Sequence, residues 1–373
     1  MNGSLRIGKV FGIPIGLNYS WFIIFALLSL SLSTGYFPSN NPDWTAAGYW
    51  TAGVLASLLL FGSVLVHELA HSVVALRWGI PVKSINLFIF GGVASLGREP
   101  DRPLAEFLIA VAGPVASFAL ALGFTIVRFA GGALGLEPLV AVVAYLVSIN
   151  LTLAVFNLIP GFPLDGGRIF RAVVWALTGD MNRATRWAAR SGRVIALLMI
   201  AGGGIMILRG NWGGGLWLAF IGWFLESAAS QSSQQASVRE ALQGYTARDF
   251  ATGGCHAVDS NTPLDWLVRD HVVPHGDDCF VVTQDQEAEG VATLGQIQQI
   301  PRQRWGWTPV RQIMTPLGNL KPVRAGDAAY SVLERMLSEG QALLPVTDES
   351  RFVGLVRRDN LLDFAQRRST LKV

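Results

Sequence analysis

One apolar run carries a catalytic-looking triplet at its heart. Residues 50–76 are built mainly from Leu, Val, Ala, Ser and Phe and are long enough to cross a bilayer. Inside that run lie His67, Glu68 and His71. In a helix, residues four apart share a face, so His67 and His71 offer two imidazoles to one ion. Glu68 sits beside them without being forced to ligate, which leaves it free to handle the proton of an attacking water. That division of labour is the mechanical basis of H-E-x-x-H. Ionisable groups are costly at membrane depth and mark function there. The same five-residue pattern arises by chance and in soluble zincins, so the rest of the chain must decide.

The 373 residues suffice for two or three domains. A mean hydropathy of +0.40 with 15% charged residues is too apolar for an ordinary soluble chain. The apolar weight is concentrated in residues 17–230, while residues 235–373 have the composition of a soluble domain. A net charge of +3 without a block of like charge excludes a nucleic-acid partner. The cysteines, Cys255 and Cys279, both fall in the soluble part and form no C-x-x-C pair. This argues against a disulfide framework or a Cys-rich zinc site and fits a reducing compartment.

Residues 1–16 are Gly-rich and lightly basic through Arg6 and Lys9. The first apolar run, residues 17–34, lacks a small-residue cleavage site and is read as a retained helix. Residues 80–96 break the helical pattern: Ile85, Leu87 and Ile89 alternate with Asn86, Phe88 and Phe90 ahead of Gly91 and Gly92. These predict a membrane-associated β-hairpin, either a plain connection or an edge that receives an extended peptide. Further spans are expected over residues 104–129, 139–158, 194–208 and 216–229, with an Arg-rich interfacial segment at 168–193. Six spans place both termini on one side. One set of loops holds Arg6, Lys9, Arg77, Lys83, Arg98, Arg102 and the Arg-rich segment, and the other holds Arg128 and Arg209. Positive residues stay in the cytoplasm, so the termini, the hairpin and the soluble part are expected there.

Residues 227–237, rich in Ser, Gln and Ala, read as a flexible linker. Beyond them the pattern repeats. Cys279, Phe280, Val281 and Val282 precede Gly290-Val291-Ala292-Thr293, and Leu344, Pro345 and Val346 precede Gly354-Leu355-Val356-Arg357. Strand–helix alternation in two copies predicts a tandem α/β module. The expected division is a membrane domain at 1–230, a linker at 231–244, and repeats at 245–310 and 311–373.

A catalytic zinc takes three protein ligands and keeps one position open. Asp165 is the candidate third ligand, because it follows a Pro- and Gly-rich break at the same membrane depth as the end of the second span. It also suits the N-cap of the helix opening at Gly166. One carboxylate serves either role.

His67-Glu68-x-x-His71 in one span, followed by Asn157-x-x-Pro160-x-x-Pro163-Leu164-Asp165-Gly166 after another, closely resembles the site-2 protease family of intramembrane zinc metalloproteases. The resemblance covers about residues 1–230. It implies that His67, His71 and Asp165 hold one zinc ion and that Glu68 is the general acid/base. It further implies that Asn157 holds the substrate peptide or oxyanion, and that the Gly91-Gly92 hairpin flanks the substrate path. The family's Gly-Pro-x-x-Asn is here Gly113-Pro114-x-x-Ser117, a departure that exchanges an amide for a hydroxyl. The implied fold is an α-helical polytopic membrane protein with about six spans and a membrane-associated β-hairpin.

The repeats resemble a tandem cystathionine-β-synthase (CBS) pair, expected as a cytoplasmic α/β module. Its usual Gly-apolar-apolar-Thr/Ser-x-x-Asp stretch keeps Thr293 but loses the Asp in the first copy, and the second has Arg357 and Arg358 in its place. Two readings stay open: an adenine-nucleotide sensor using Thr293, Arg357 and Arg358, or a ligand-free module that joins two copies of the chain. The implied partner is a single-span membrane-protein substrate, for example an anti-sigma factor, cut within the lipid bilayer in regulated intramembrane proteolysis. The rival reading is a membrane transporter or channel regulated by its CBS pair, which explains the spans and tail but not the paired metal motifs.

Overall fold

The computed structural model describes residues 4–89, 91–251, 255–285, 287–349 and 351–371. It divides into two compact units, Met1–Gln234 and Gln235–Val373.

The first unit opens with a sheet that the sequence only half reveals. Strands β1 (Ser4–Val10) and β2 (Ile13–Asn18) form an antiparallel hairpin around Phe11 and Gly12, both at positive φ. Leu5, Ile7 and Phe11 of this hairpin point outward, so its apolar residues do not announce a core-facing strand. Strand β2 pairs in parallel with β3 (Val82–Phe88), with Ile15 opposite Ile85, and β3 pairs antiparallel with β4 (Gly91–Leu96). Ile13, Ile15, Leu17, Ile85 and Leu87 form the buried face. The expected hairpin at 80–96 is therefore half of a four-stranded sheet in the order β1-β2-β3-β4, with β4 at an edge. Phe90 lies outside the described residues.

Helix α1 (Tyr19–Ser31) runs through a π turn into α2 (Phe37–Asn40). Then come α3 (Ala46–Arg77), α4 (Pro103–Ala133), α5 (Glu137–Asn157), α6 (Asp165–Thr178), α7 (Met181–Leu208) and α8 (Trp212–Ala241). Five stretches among the described residues are long and apolar enough to cross a membrane: Tyr19–Asn40, α3, α4, α5 and α7. Their outward faces carry Leu122, Ile126, Phe129, Leu198 and Leu208, which suits lipid and not water. The Arg-rich segment is split between α6 and the start of α7, because Gly179 ends one helix in the left-handed conformation and Asp180 caps the next.

The sixth expected span lies within α8, where Trp and Gly dilute the apolar run. It nevertheless returns alongside α7. Gly215 packs on the Gly203 carbonyl, Gly222 on that of Ala196, and Glu226 pairs with Arg193 at 3.6 Å. These contacts climb one helix as they descend the other, an antiparallel register. The stretch expected to be a flexible linker is helical as far as Ala241. Its Ser, Gln, Ala, Arg and Glu contain no Gly or Pro to break a helix already propagating.

In the second unit, a four-stranded sheet is ordered β5 (His256–Asp259), β6 (Cys279–Gln284), β7 (Glu287–Thr293) and β8 (Thr315–Pro316). A three-stranded sheet follows, made of β9 (Val323–Arg324), β10 (Leu343–Asp348) and β11 (Arg351–Arg357). Short helices α9 (Ala247–Phe250), α10 (Leu264–Leu267), α11 (Val273–His275) and α12 (Leu294–Gln298), with the longer α13 (Ala329–Glu339) and α14 (Arg358–Leu371), complete two α/β halves. The repeat holds to the level of single bonds. Thr283 Oγ1 donates to the Val258 carbonyl as Thr347 Oγ1 does to that of Val323. Leu294 N donates to Asp278 O as Arg358 N does to Ala342 O. The halves also exchange segments: Leu242, Ala247 and Phe250 enter the core of the second half, while β8 pairs with β7 of the first.

Cys255 and Cys279 form a disulfide, against the expectation from their spacing. Parallel pairing of β5 with β6 sets His256 opposite Phe280, so the residues just ahead of that pair become neighbours, with Cα atoms 4.8 Å apart. The separation of 24 residues in sequence conceals this juxtaposition.

Candidate metal centre

Helix α3 carries His67 and His71 on its buried face, with Glu68 half-buried beside them. At 1.5 Å per residue, the histidines stand about 9–15 Å from the Arg77 end of the helix. Both Nδ1 atoms are bound to α4. His67 Nδ1 is 2.9 Å from Ser117 Oγ, and His71 Nδ1 is 2.6 Å from the Ile109 carbonyl. Pro114 helps to shape that turn of α4, since it cannot donate to the carbonyl one turn back and its ring forces the turn open. The hydroxyl of Ser117 thus reaches His67, a contact that the sequence alone leaves undecided.

Gly113 explains how α4 comes so close. A Cβ there would collide with Nε2 of both His67 and His71. Asp165 enters from the opposite side as the first residue of α6; the cap position is Leu164, so the carboxylate is not used as an N-cap. Gly166 and Gly167 press against the backbone of Leu158, Ile159, Gly161 and Phe162, and this close packing fixes where α6 begins. Deeper in α6, Arg171 donates to Glu106 of α4, both buried, which ties the helix with Asp165 to the helix with Ser117.

The result is a nearly equilateral triangle. Asp165 Oδ2 lies 3.1 Å from His67 Nε2 and 3.3 Å from His71 Nε2, and the two Nε2 atoms are 3.2 Å apart. Donors about 2.0–2.1 Å from a tetrahedral zinc stand roughly 3.3 Å from one another. The protonation pattern fits as well. With Nδ1–H of His71 directed at a carbonyl, its Nε2 carries a lone pair, and the same tautomer of His67 donates to Ser117. Two lone pairs and a carboxylate oxygen facing one point repel one another unless a cation sits between them.

Other sequence-predicted residues are placed less directly. The backbone of Gly92, in edge strand β4, abuts the Glu68 side chain, leaving no room for a Cβ, and Gly91 takes φ 128° at the start of that strand. Asn157 ends α5, half-buried, with no hydrogen bond to His67, His71 or Asp165. Sequence reasoning missed Glu106 and Arg171 as partners, and Asn150, whose amide donates to Ser63 of α3 at 3.3 Å. In the second unit, Thr293 shares a capping box with Gln296, which occupies the position of the missing acid. Arg357 pairs with Asp278, and Arg358 lies 3.7 Å from Asp359.

The model of the peptidase family M50 matches residues 55–136 and 129–199. The Synechocystis protein sll0528, assigned as a zinc metalloprotease, is 36% identical over 373 residues, spanning 98% of this chain and 96% of that one. Among solved structures, the site-2 protease from Methanocaldococcus jannaschii is similar at 30% identity and TM-score 0.41, over 62% of this chain and 95% of that one. The CBS domain of a bacterial CNNM/CorC family Mg2+ transporter in complex with ATP is similar at 18% identity and TM-score 0.31, over 36% of this chain and 97% of that one.

Proposed function

The chain belongs to peptidase family M50 and is a multi-pass membrane zinc metalloprotease of the site-2 protease type, and on that premise we propose that it hydrolyses a peptide bond in or near the transmembrane helix of a membrane-protein substrate. His67, His71 and Asp165 hold the zinc, and the observation that supports this assignment is the triangle of their ligand atoms, 3.1–3.3 Å apart. Bound zinc supplies Lewis acidity toward the scissile carbonyl and lowers the pKa of water. Glu68 takes the proton of the attacking water and delivers it to the departing amine.

The remaining residues position the peptide. A helical carbonyl is already hydrogen-bonded, so the substrate must unwind at the cut. Strand β4 offers an extended edge whose Gly92 touches Glu68, and a peptide added along it lies against the acid/base. Gly91 and Gly92 keep that approach free of side chains, and Asn157 holds the peptide or the developing oxyanion. Ser117, bonded to His67 Nδ1, holds that ring in the orientation that turns Nε2 toward Asp165.

On this reading both termini and the second unit are cytoplasmic, which the distribution of loop charges supports. The substrate class is a single-span regulatory protein such as an anti-sigma factor, cut in regulated intramembrane proteolysis. Residues 245–310 and 311–373 act as a CBS pair that regulates the protease or joins two copies. An adenine nucleotide contacting Thr293, Arg357 and Arg358 must compete with the bonds those side chains already make. Family membership leaves the transporter or channel reading without support.

The test is cleavage of candidate single-span proteins in cells producing the native chain or Glu68→Gln. Cleavage should occur with the native chain and vanish with the variant, while zinc content is retained. Equal cutting by both would assign the activity to another enzyme.

A further inference from the structure

Three of the five histidines of the chain lie far in sequence from the protease motif, at His256, His271 and His275. His256 opens β5, His271 lies in a π turn (Val268–Val272) between α10 and α11, and His275 ends α11. Gly276, at φ 72°, turns the chain back so that Asp277 faces the first two. Asp277 Oδ2 is 2.8 Å from His256 Nδ1 and 3.5 Å from His271 Nδ1. The three ligand atoms all lie within 4.8 Å of one another. Two of them, His271 Nδ1 and Asp277 Oδ2, are shut off from solvent, and what they face among the described residues is each other and His256. Polar atoms out of water need such partners.

The repeat supplies a comparison within the same chain. Aligned on the matched bonds of the two halves, His256, His271 and Asp277 correspond to Lys321, Arg335 and Gln341. There Arg335 donates to the carbonyls of Lys321 and Pro322. The second half thus carries a permanent cation where the first presents two imidazoles and a carboxylate. Cys255 and Cys279, with Cα atoms 4.8 Å apart, show how close the segments bearing His256 and Asp277 run.

We propose that His256, His271 and Asp277 form a second metal site, taking a divalent transition ion of zinc type. Two imidazoles and one carboxylate suit such an ion. The two contacts to Asp277 bracket the roughly 3.3 Å edge of a tetrahedral zinc site, and the exposed ring of His256 can turn to close the third edge. A metal here joins the strand, the π turn and the loop, and makes the stability of this half depend on metal supply.

The experiment measures zinc in the full chain, purified in detergent with a histidine-free tag and dialysed against buffered zinc. His67→Ala removes a ligand from the protease centre, so that variant should retain about one zinc per chain, against about two in the native protein. Adding His256→Ala and His271→Ala should remove the remaining ion. No zinc in His67→Ala, or zinc persisting in the triple variant, would overturn the proposal. Asp277→Asn in the His67→Ala background preserves side-chain size and should lower zinc affinity at least about tenfold, read by chelator competition. An unchanged affinity would equally overturn it.

Discussion

Gly113 is where the proposed metal centre is most sensitive to a single atom. A Cβ there would meet Nε2 of both His67 and His71, in space that an ion and its ligands would require. Gly113→Ala should therefore abolish zinc retention and proteolysis while leaving a membrane-inserted chain, checked by metal analysis of the purified protein. Ser117 acts one bond further out. Ser117→Ala removes the partner of His67 Nδ1 and should cost about 10–100-fold in zinc affinity or activity, whereas Ser117→Asn, restoring an amide, should recover part of it. Full retention in Ser117→Ala with a loss in Ser117→Asn would show that the site needs the small volume of Ser117 and not its hydrogen bond. At this scale the sequence was informative where chemistry repeats in the motif: His67, Glu68, His71 and Asp165 stand out by residue type and spacing. Ser117 stood out only as a departure from the family's asparagine, because its bond to His67 depends on the approach of α4 to α3.

The elements hold the centre through contacts that no periodicity reveals. Asp165 comes from α6 and Ser117 from α4, and the Arg171–Glu106 pair joins these helices out of water, with Arg168 Nε 4.0 Å from the same Glu106 oxygen. Removing one partner of such a pair strands the other charge, at about 3–5 kcal/mol. Glu106→Ala should lower the thermal stability of the membrane unit and, by loosening α6, weaken zinc binding through Asp165. Replacing both partners with apolar residues of similar volume should restore much of the stability but not the zinc affinity. If the double replacement recovers both, the pair contributes only packing. Long apolar helices were legible because each needs only its own composition. Strands β1 and β2 were not, because Leu5, Ile7 and Phe11 of their hairpin face outward and their partner β3 lies beyond three helices in the chain. The capping of α7 by Asp180 and the continuation of α8 past residue 234 likewise depend on local bonds, which Arg and Ser content alone does not report.

For the whole molecule, the decisive quantity is the number of crossings, because it sets the side on which residues 235–373 reside. Composition alone supports five spans among the described residues, which would put the two ends of the membrane unit on opposite faces. The antiparallel contacts of α8 with α7 argue for a sixth. Arg193, near the start of α7, meets Glu226, and between them Gly215 and Gly222 bring the helix backbones together. Helix α8 thus climbs back to the level at which α7 began. The loop charges agree, since Arg128 and Arg209 stand alone on the far side. The Cys255–Cys279 bridge pulls the other way, because a cytoplasmic pair of thiols is kept reduced while an external one stays joined. A fluorescent protein fused after Val373 should therefore glow in the cytoplasm. In the same cells, quenching with acid and then alkylating the denatured protein with a maleimide near neutral pH should label both cysteines. The bridge then forms after lysis, as β5 and β6 hold the sulfurs in reach. A dark fusion with blocked cysteines would instead place the second unit outside, reduce the crossings to five, and require α8 to lie along the membrane surface.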